Sequence, residues 1–132
     1  MKSLLKVTPR LPVQNLRETI AFYANSLGFS LAKTWPDESP TFAMLERDDV
    51  GLQFHLLEGE QNGTVGNATL SIDVRDALAV FDSLGERVPI EWGPEVYWYG
   101  RREFAIRDPN GYLIIISQVT DDAPTCKEEE KE

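Results

Sequence analysis

Cysteine is almost missing from this 132-residue chain, since Cys126 stands alone in a polar tail. No internal disulfide and no thiolate metal cluster can therefore form. Long apolar runs are missing too: the patch Leu4-Leu5 is far shorter than a signal-peptide core or a membrane span. A soluble, cytoplasmic protein with no membrane partner is expected. Positive charge is scarce, with 13 Lys and Arg against 22 Asp and Glu and a net charge of −9. Nucleic acids and anionic membrane surfaces are bound by clustered cations that displace counterions, so neither is an expected partner. An acidic surface serves solubility and, where a ligand is concerned, attracts cations.

Repetition, by contrast, is abundant. Arg17-Glu18-Thr19-Ile20-Ala21-Phe22-Tyr23 returns 58 residues later as Arg75-Asp76-Ala77-Leu78-Ala79-Val80-Phe81. Ser26-Leu27-Gly28 returns as Ser83-Leu84-Gly85, Trp35 as Trp92, and Phe42-Ala43-Met44 as Phe104-Ala105-Ile106. The turn Asp48-Asp49-Val50-Gly51 returns as Asp108-Pro109-Asn110-Gly111. Two copies are too few for a solenoid, but two copies closing on each other make a cup. With 42% hydrophobic residues, the length suits one cored domain of two half-size modules.

Each copy reads βαβββ. Residues 6–13 form a strand, Asn15 caps a helix with Glu18 three positions on, and Leu16, Ile20, Tyr23 and Leu27 make the stripe that ends at Gly28. Strands follow around Leu31, over 41–46 and over 52–57, and the polar segment 59–66 is the linker. In the second copy 68–72 is a strand, Asp73 caps a helix with stripe Leu78, Phe81 and Leu84, and strands over 88–91, 103–106 and 112–117 complete the module. The expected domain covers residues 1–119, as modules 6–58 and 67–118, with an acidic disordered tail over 120–132. Period-two alternation sends Leu52, Phe54 and Leu56, with Tyr112, Ile114 and Ile116, toward the helices. The opposite face carries Arg10, Gln53, His55, Ser71, Ile115 and Ser117, a polar and apolar mixture that describes a wet concavity for a ligand.

Paired βαβββ modules, with helices ending in Leu-Gly and a closing turn such as Asp108-Pro109-Asn110-Gly111, resemble the vicinal oxygen chelate superfamily. That family includes glyoxalase I, extradiol dioxygenases and bleomycin-binding resistance proteins. The most specific segments are Asn25-Ser26-Leu27-Gly28-Phe29 and Arg102-Glu103-Phe104-Ala105-Ile106-Arg107-Asp108-Pro109-Asn110-Gly111, and the resemblance runs from about residue 6 to 118. It implies an α+β fold whose two modules form a cupped, barrel-like mixed sheet with the helices outside. The family's enzymes hold a metal with four ligands drawn from His, Glu and sometimes Gln, at positions that fall here on Thr8, His55, Asn67 and Ile115. Only His55 is a good donor, whereas a catalytic transition ion needs at least three. The resemblance therefore implies a member with no metal, no cofactor and no catalytic residue. His55, with no orienting partner in view, reads as a wall residue.

Within the superfamily the similarity leans toward the bleomycin binders. Phe42-Ala43-Met44-Leu45-Glu46-Arg47-Asp48-Asp49-Val50 resembles their F-A-x-x-x-R-D-D-V segment. Gly100-Arg101-Arg102-Glu103-Phe104 resembles their W-G-R-E-F, with Tyr99 in place of Trp and one residue extra. By that resemblance Phe42 and Tyr99 stack on a flat ligand, and Pro9 marks an N-terminal arm exchanged within a homodimer. Independently, Trp92, Tyr97, Trp98 and Tyr99 crowd a segment between Gly93-Pro94 and Gly100 that reads as a loop. Such rings recognise planar or cationic ligands; covering a subunit interface or the barrel's open end is the other reading, and Trp35 reads as packing. The expectation is a homodimer that sequesters a cationic, partly aromatic small molecule, bound by Phe42, His55, Asn67, Trp92, Trp98, Tyr99 and Glu103. Two rivals stay open: a glyoxalase- or dioxygenase-like enzyme with an atypical metal set around His55, and a module docking a partner chain through its aromatic loop.

Overall fold

A computed structural model describes residues 2–57 and 65–126, which divide into two compact units, Met1–Val65 and Gly66–Glu132. The first holds β1 (Arg10–Val13), α1 (Leu16–Leu27), β2 (Ser30–Trp35), β3 (Phe42–Arg47) and β4 (Val50–Leu56). The second holds β5 (Thr69–Asp73), α2 (Ala77–Leu84), β6 (Ile90–Tyr97), β7 (Arg101–Arg107) and β8 (Leu113–Val119). Each unit is thus βαβββ and builds an open four-stranded sheet, in the orders β1-β4-β3-β2 and β5-β8-β7-β6. The opening strand lies parallel to the last one, a pairing that needs the long connection through the helix. The remaining ladders are antiparallel. The expected α+β class and double module are present, as two sheets of four strands instead of one continuous sheet. The linker expected over 59–66 lies outside the described residues as far as residue 64. No helix among the described residues is long and apolar enough to cross a membrane.

Local chemistry explains α1. Asn15 is extended, and its Oδ1 accepts the Glu18 N–H at 2.9 Å, satisfying a backbone donor that the first turn leaves open. At the other end Gly28 adopts φ 70°, and Arg47 Nη1 donates to the Leu27 carbonyl at 2.7 Å. Leu16, Thr19, Tyr23 and Leu27 are the buried face. Tyr23 packs its ring against Phe29 and Phe54, at centroid distances of 5.8 and 5.0 Å.

The second unit shifts phase from the sequence expectation. Asp76, not Asp73, caps α2, its Oδ1 accepting the Ala79 N–H at 3.0 Å. Both aspartates suit a cap, but Asp73 is claimed by the β5–β8 ladder opposite Ser117 and by Arg101 at 2.9 Å. Starting at Ala77 turns the inward stripe to Ala77, Phe81 and Leu84 and leaves Leu78 exposed. The repeat's alignment of Phe42 with Phe104 is corrected as well. Phe42 stands opposite His55 on the face turned from α1, while Phe104 stands opposite Ile116 and packs on Phe81 of α2. A register offset of one residue reverses the face of a strand.

The segment read as an acidic tail is described to Cys126 and lies along β6. The Thr125 N–H donates to the Val96 carbonyl at 2.8 Å, and Thr125 Oγ1 accepts the Val96 N–H at 2.8 Å. Arg102 pairs with Asp122 at 2.6 Å, and its hydrogen bond holds that carboxyl below its ordinary pKa. β6 is an edge strand, so these contacts cover backbone groups that would otherwise be open to pairing. Residues 127–132 lie outside the described residues.

Candidate functional site

Alternation and register together assemble one group of side chains in the first unit. Two cross-strand rows lie on the sheet face turned from α1: Arg10, Gln53, Met44 and Lys33, then Pro12, His55, Phe42 and Trp35. Arg10, Lys33, Trp35, Phe42, Met44 and His55 wall a cavity of about 460 Å³. Lys33 reaches this face through a bulge, because the β2–β3 register steps between Leu31 and Lys33. Leu31 stands opposite the buried Leu45, and without the step Lys33 would share that inner face. The Arg10 guanidinium lies over the Phe42 ring, 4.7 Å from its centroid, while its Nε donates to Gln53 Oε1 at 3.1 Å. Beside them His55 Nδ1 is sealed from solvent with no hydrogen-bond partner among the described residues. A buried polar atom left in that state costs about 1–3 kcal/mol.

A second group forms in the second unit. Trp92 lies in β6 rather than in a loop, and the β6–β7 register steps on both sides of it. Its ring meets Tyr97 edge-on at 5.7 Å, Tyr97 stacks on Tyr99 at 5.8 Å and 8°, and Tyr99 meets Trp98 edge-on at 5.2 Å. Only residues 98–100 make the turn into β7. Trp98 is 50% and Tyr99 37% exposed, whereas Tyr97 is buried. The outer two rings are therefore exposed, and the inner ones pack beneath them.

Register places Asp73, Ser117 and Glu103 in one row across β5, β8 and β7. Glu103 is only 6% exposed, and a buried carboxylate persists when its oxygens are satisfied. Its Oε1 accepts the Tyr99 hydroxyl at 2.5 Å and its Oε2 the Ser117 hydroxyl at 2.8 Å. Arg101 Nη1 then donates to Ser117 Oγ and Asp73 Oδ1, both at 2.9 Å. Asn67 is exposed just before β5, with β8 and β7 standing between it and β6. The sheet does not bring it to the rings.

Burial, reinforced by the hydrogen bond to Glu103, pushes the Tyr99 hydroxyl well above its ordinary pKa of 10.0. Burial likewise raises Tyr112. For a group raised on folding, the stabilisation is complete below the unfolded-state pKa and disappears as pH climbs from there through the folded value. The urea midpoint is thus expected to fall once pH exceeds about 10, and Tyr99→Phe is expected to flatten that fall. Denaturation curves across alkaline pH, paired with near-ultraviolet phenolate absorbance, check both.

Among the described residues, neither unit gathers the donors of a metal centre. His55 stands opposite Pro12 and Phe42, and Ile115 opposite Ser71 and Ala105. Among the described residues no group of three or more His, Cys, Asp or Glu lies together. Isoleucine has no donor atom, and the neutral oxygens of Thr8 and Asn67 are weak ligands, so the residues present do not fit a divalent transition ion. Sequence reasoning missed Lys33, Met44 and Trp35 as cavity residues. For Trp35 a signal existed in its pairing with Trp92; for Lys33 there was none, because the bulge is not written in any local motif.

Comparison with known proteins adds a family context. The profile of the Glyoxalase/Bleomycin resistance protein/Dioxygenase superfamily matches residues 4–116. The bleomycin resistance protein of Geobacillus stearothermophilus is 26% identical over 134 residues, spanning 87% of this chain and 97% of that one. A virulence protein of Salmonella typhimurium shares the fold at TM-score 0.71 and 28% identity, covering 91% of this chain and 100% of that one. The bleomycin-binding protein of bleomycin-producing Streptomyces verticillus, solved with copper(II)-bleomycin, gives TM-score 0.70 at 22% identity over 92% of this chain and 100% of that one. At that identity the likeness speaks to the fold alone.

Proposed function

The chain belongs to the Glyoxalase/Bleomycin resistance protein/Dioxygenase superfamily, and on that premise we propose that it is a metal-independent binding protein that sequesters a planar, cationic small molecule. The observation that carries this reading is the exposed pair Trp98 and Tyr99, backed by Tyr97 and Trp92 and underlain by the Glu103 carboxylate. A phenol that donates to a carboxylate gains electron density in its ring, which strengthens its attraction for a cation. The net charge of −9 speeds capture of a cation without demanding any catalytic group. Relatives named bleomycin resistance proteins, at 26% identity, favour sequestration as the starting point.

We propose further that the protein is a homodimer with exchanged N-terminal arms. Leu4, Leu5 and Val7 are almost fully exposed ahead of β1, and a partner subunit would cover them. A reducing cytoplasm suits a chain whose only thiol is Cys126.

Isothermal titration with bleomycin, and with an unrelated planar cation such as proflavine, tests the reading. Trp98→Ala and Tyr99→Leu are each expected to weaken cation binding about two- to thirtyfold, the equivalent of about 0.5–2 kcal/mol per ring. Absence of binding by either cation at high micromolar concentration removes the proposal. Stoichiometric zinc, nickel, manganese or iron in protein purified without chelators would restore the enzyme reading. Sedimentation in the same buffer reports whether the binding species is a dimer; a monomer at all concentrations removes the arm exchange.

A further inference from the structure

We infer that the cavity of the first unit is a subsite for an anionic group carried on a flat aromatic ligand, with aryl carboxylates as the chemical class. This goes beyond the cation reading, which rests on the second unit's rings. The walls of the cavity include Arg10, Lys33 and His55 and no aspartate or glutamate, in a chain whose net charge is −9. Four guanidinium groups elsewhere make ion pairs, Arg47 with Asp48, Arg101 with Asp73, Arg102 with Asp122 and Arg107 with Glu91, while Arg17, Arg75 and Arg87 make none among the described residues and line no part of this cavity. Arg10 and Lys33 make no ion pair among the described residues. Two unmatched cations facing one cavity repel each other, and an incoming anion relieves that repulsion.

The geometry also selects the ligand's shape. Gln53 engages only Nε of Arg10 and holds the guanidinium plane over Phe42, so its Nη groups are left to grip a carboxylate in the two-pronged manner arginine favours. Lys33 is brought to the same face by the β2 bulge. Phe42 and Trp35 stand opposite each other in the β2–β3 ladder and supply flat apolar surface. His55, opposite Phe42, adds its imidazole to the same wall. A volume of about 460 Å³ accommodates a fused ring with one acidic substituent.

Titration of the full chain with 2-naphthoate, its neutral amide 2-naphthamide and the cation 2-naphthylmethylammonium tests the inference. Naphthoate is expected to bind at least about tenfold more tightly than the amide, as for a hydrogen bond to a charged group, and to weaken as salt is added. The double variant Arg10→Gln, Lys33→Gln is expected to abolish that preference, and Phe42→Leu to weaken naphthoate and amide alike. Tyr99→Leu should leave naphthoate affinity unchanged while lowering that of the cation, so failure here and failure of the sequestration reading are separate results. Equal affinity for naphthoate and amide, binding of neither, or an anion preference that survives in a folded double variant overturns the inference. The comparison of the three probes on the unaltered protein decides the matter even where the double variant does not fold.

Discussion

Gly93→Ala is expected to cost about 2–5 kcal/mol of folding stability and to displace the aromatic row of the second unit. The residue sits at φ 79°, and a Cβ there would lie 2.4 Å from the Glu103 carbonyl oxygen and 2.9 Å from the Phe104 Cα. Both are backbone atoms of β7, so no side chain can swing aside; β6 and β7 must separate. The left-handed backbone alone costs an L-residue about 1–2 kcal/mol, and forced overpacking adds about 1–3 kcal/mol. Gly93 also falls inside the register step between Trp92 and Glu95, against the backbone carbonyl of Glu103, whose carboxylate holds Tyr99. Urea denaturation should therefore show a lowered midpoint, and titration with a planar cation a lost or weakened signal. Gly85→Ala is the control, because its added Cβ meets nothing within 4 Å although its φ is also positive, at 62°. A Gly93→Ala midpoint no lower than that of Gly85→Ala would show that the β6–β7 approach is not what constrains this position.

Tyr23→Ala is expected to destabilise the first unit by about 3–5 kcal/mol, the range for truncating a large buried aromatic side chain. Tyr23 is fully buried and touches the rings of Phe22, Phe29 and Phe54. Its removal leaves a cavity between α1 and β4 that the surrounding rings fill only in part. The consequence reaches the candidate site through alternation: Phe54 faces α1, and the next residue, His55, faces the cavity walled by Phe42 and Arg10. Loosening one face of β4 loosens the other, so affinity for 2-naphthoate should fall along with stability. Equilibrium denaturation and titration on the same preparation check the two effects, and a loss under about 1 kcal/mol would mean the ring cluster is not the keystone of that core.

Much of this protein is legible along the chain because the responsible interactions are local. Asn15 and Gly28 bound α1 through bonds to residues three to five positions away. Asp108 closes its turn by accepting the backbone N–H groups of Asn110 and Tyr112. The helix-facing sides of β4 and β8 follow from uninterrupted alternation, and Tyr112, Ile114 and Ile116 are buried as that alternation requires. The family was legible too: the profile match over residues 4–116 spans both copies of the repeat and the Asp-Pro-Asn-Gly turn.

Tertiary structure decided whatever depends on which strand lies alongside and in what register. The β2 bulge puts Lys33 opposite Met44, and the steps around Trp92 set its ring against Tyr97; each changes the face of a side chain without altering a neighbouring residue type. The β5–β8 ladder took Asp73 and left the cap of α2 to Asp76. Glu103 and Ser117, 14 positions apart, became partners only when β7 and β8 paired. Helix caps and turns close over a few residues, where sequence distance and spatial distance agree. Ladders join distant segments and repeat every two residues, so a single inserted position, invisible to composition or motif, determines whether a charge meets the core or the ligand.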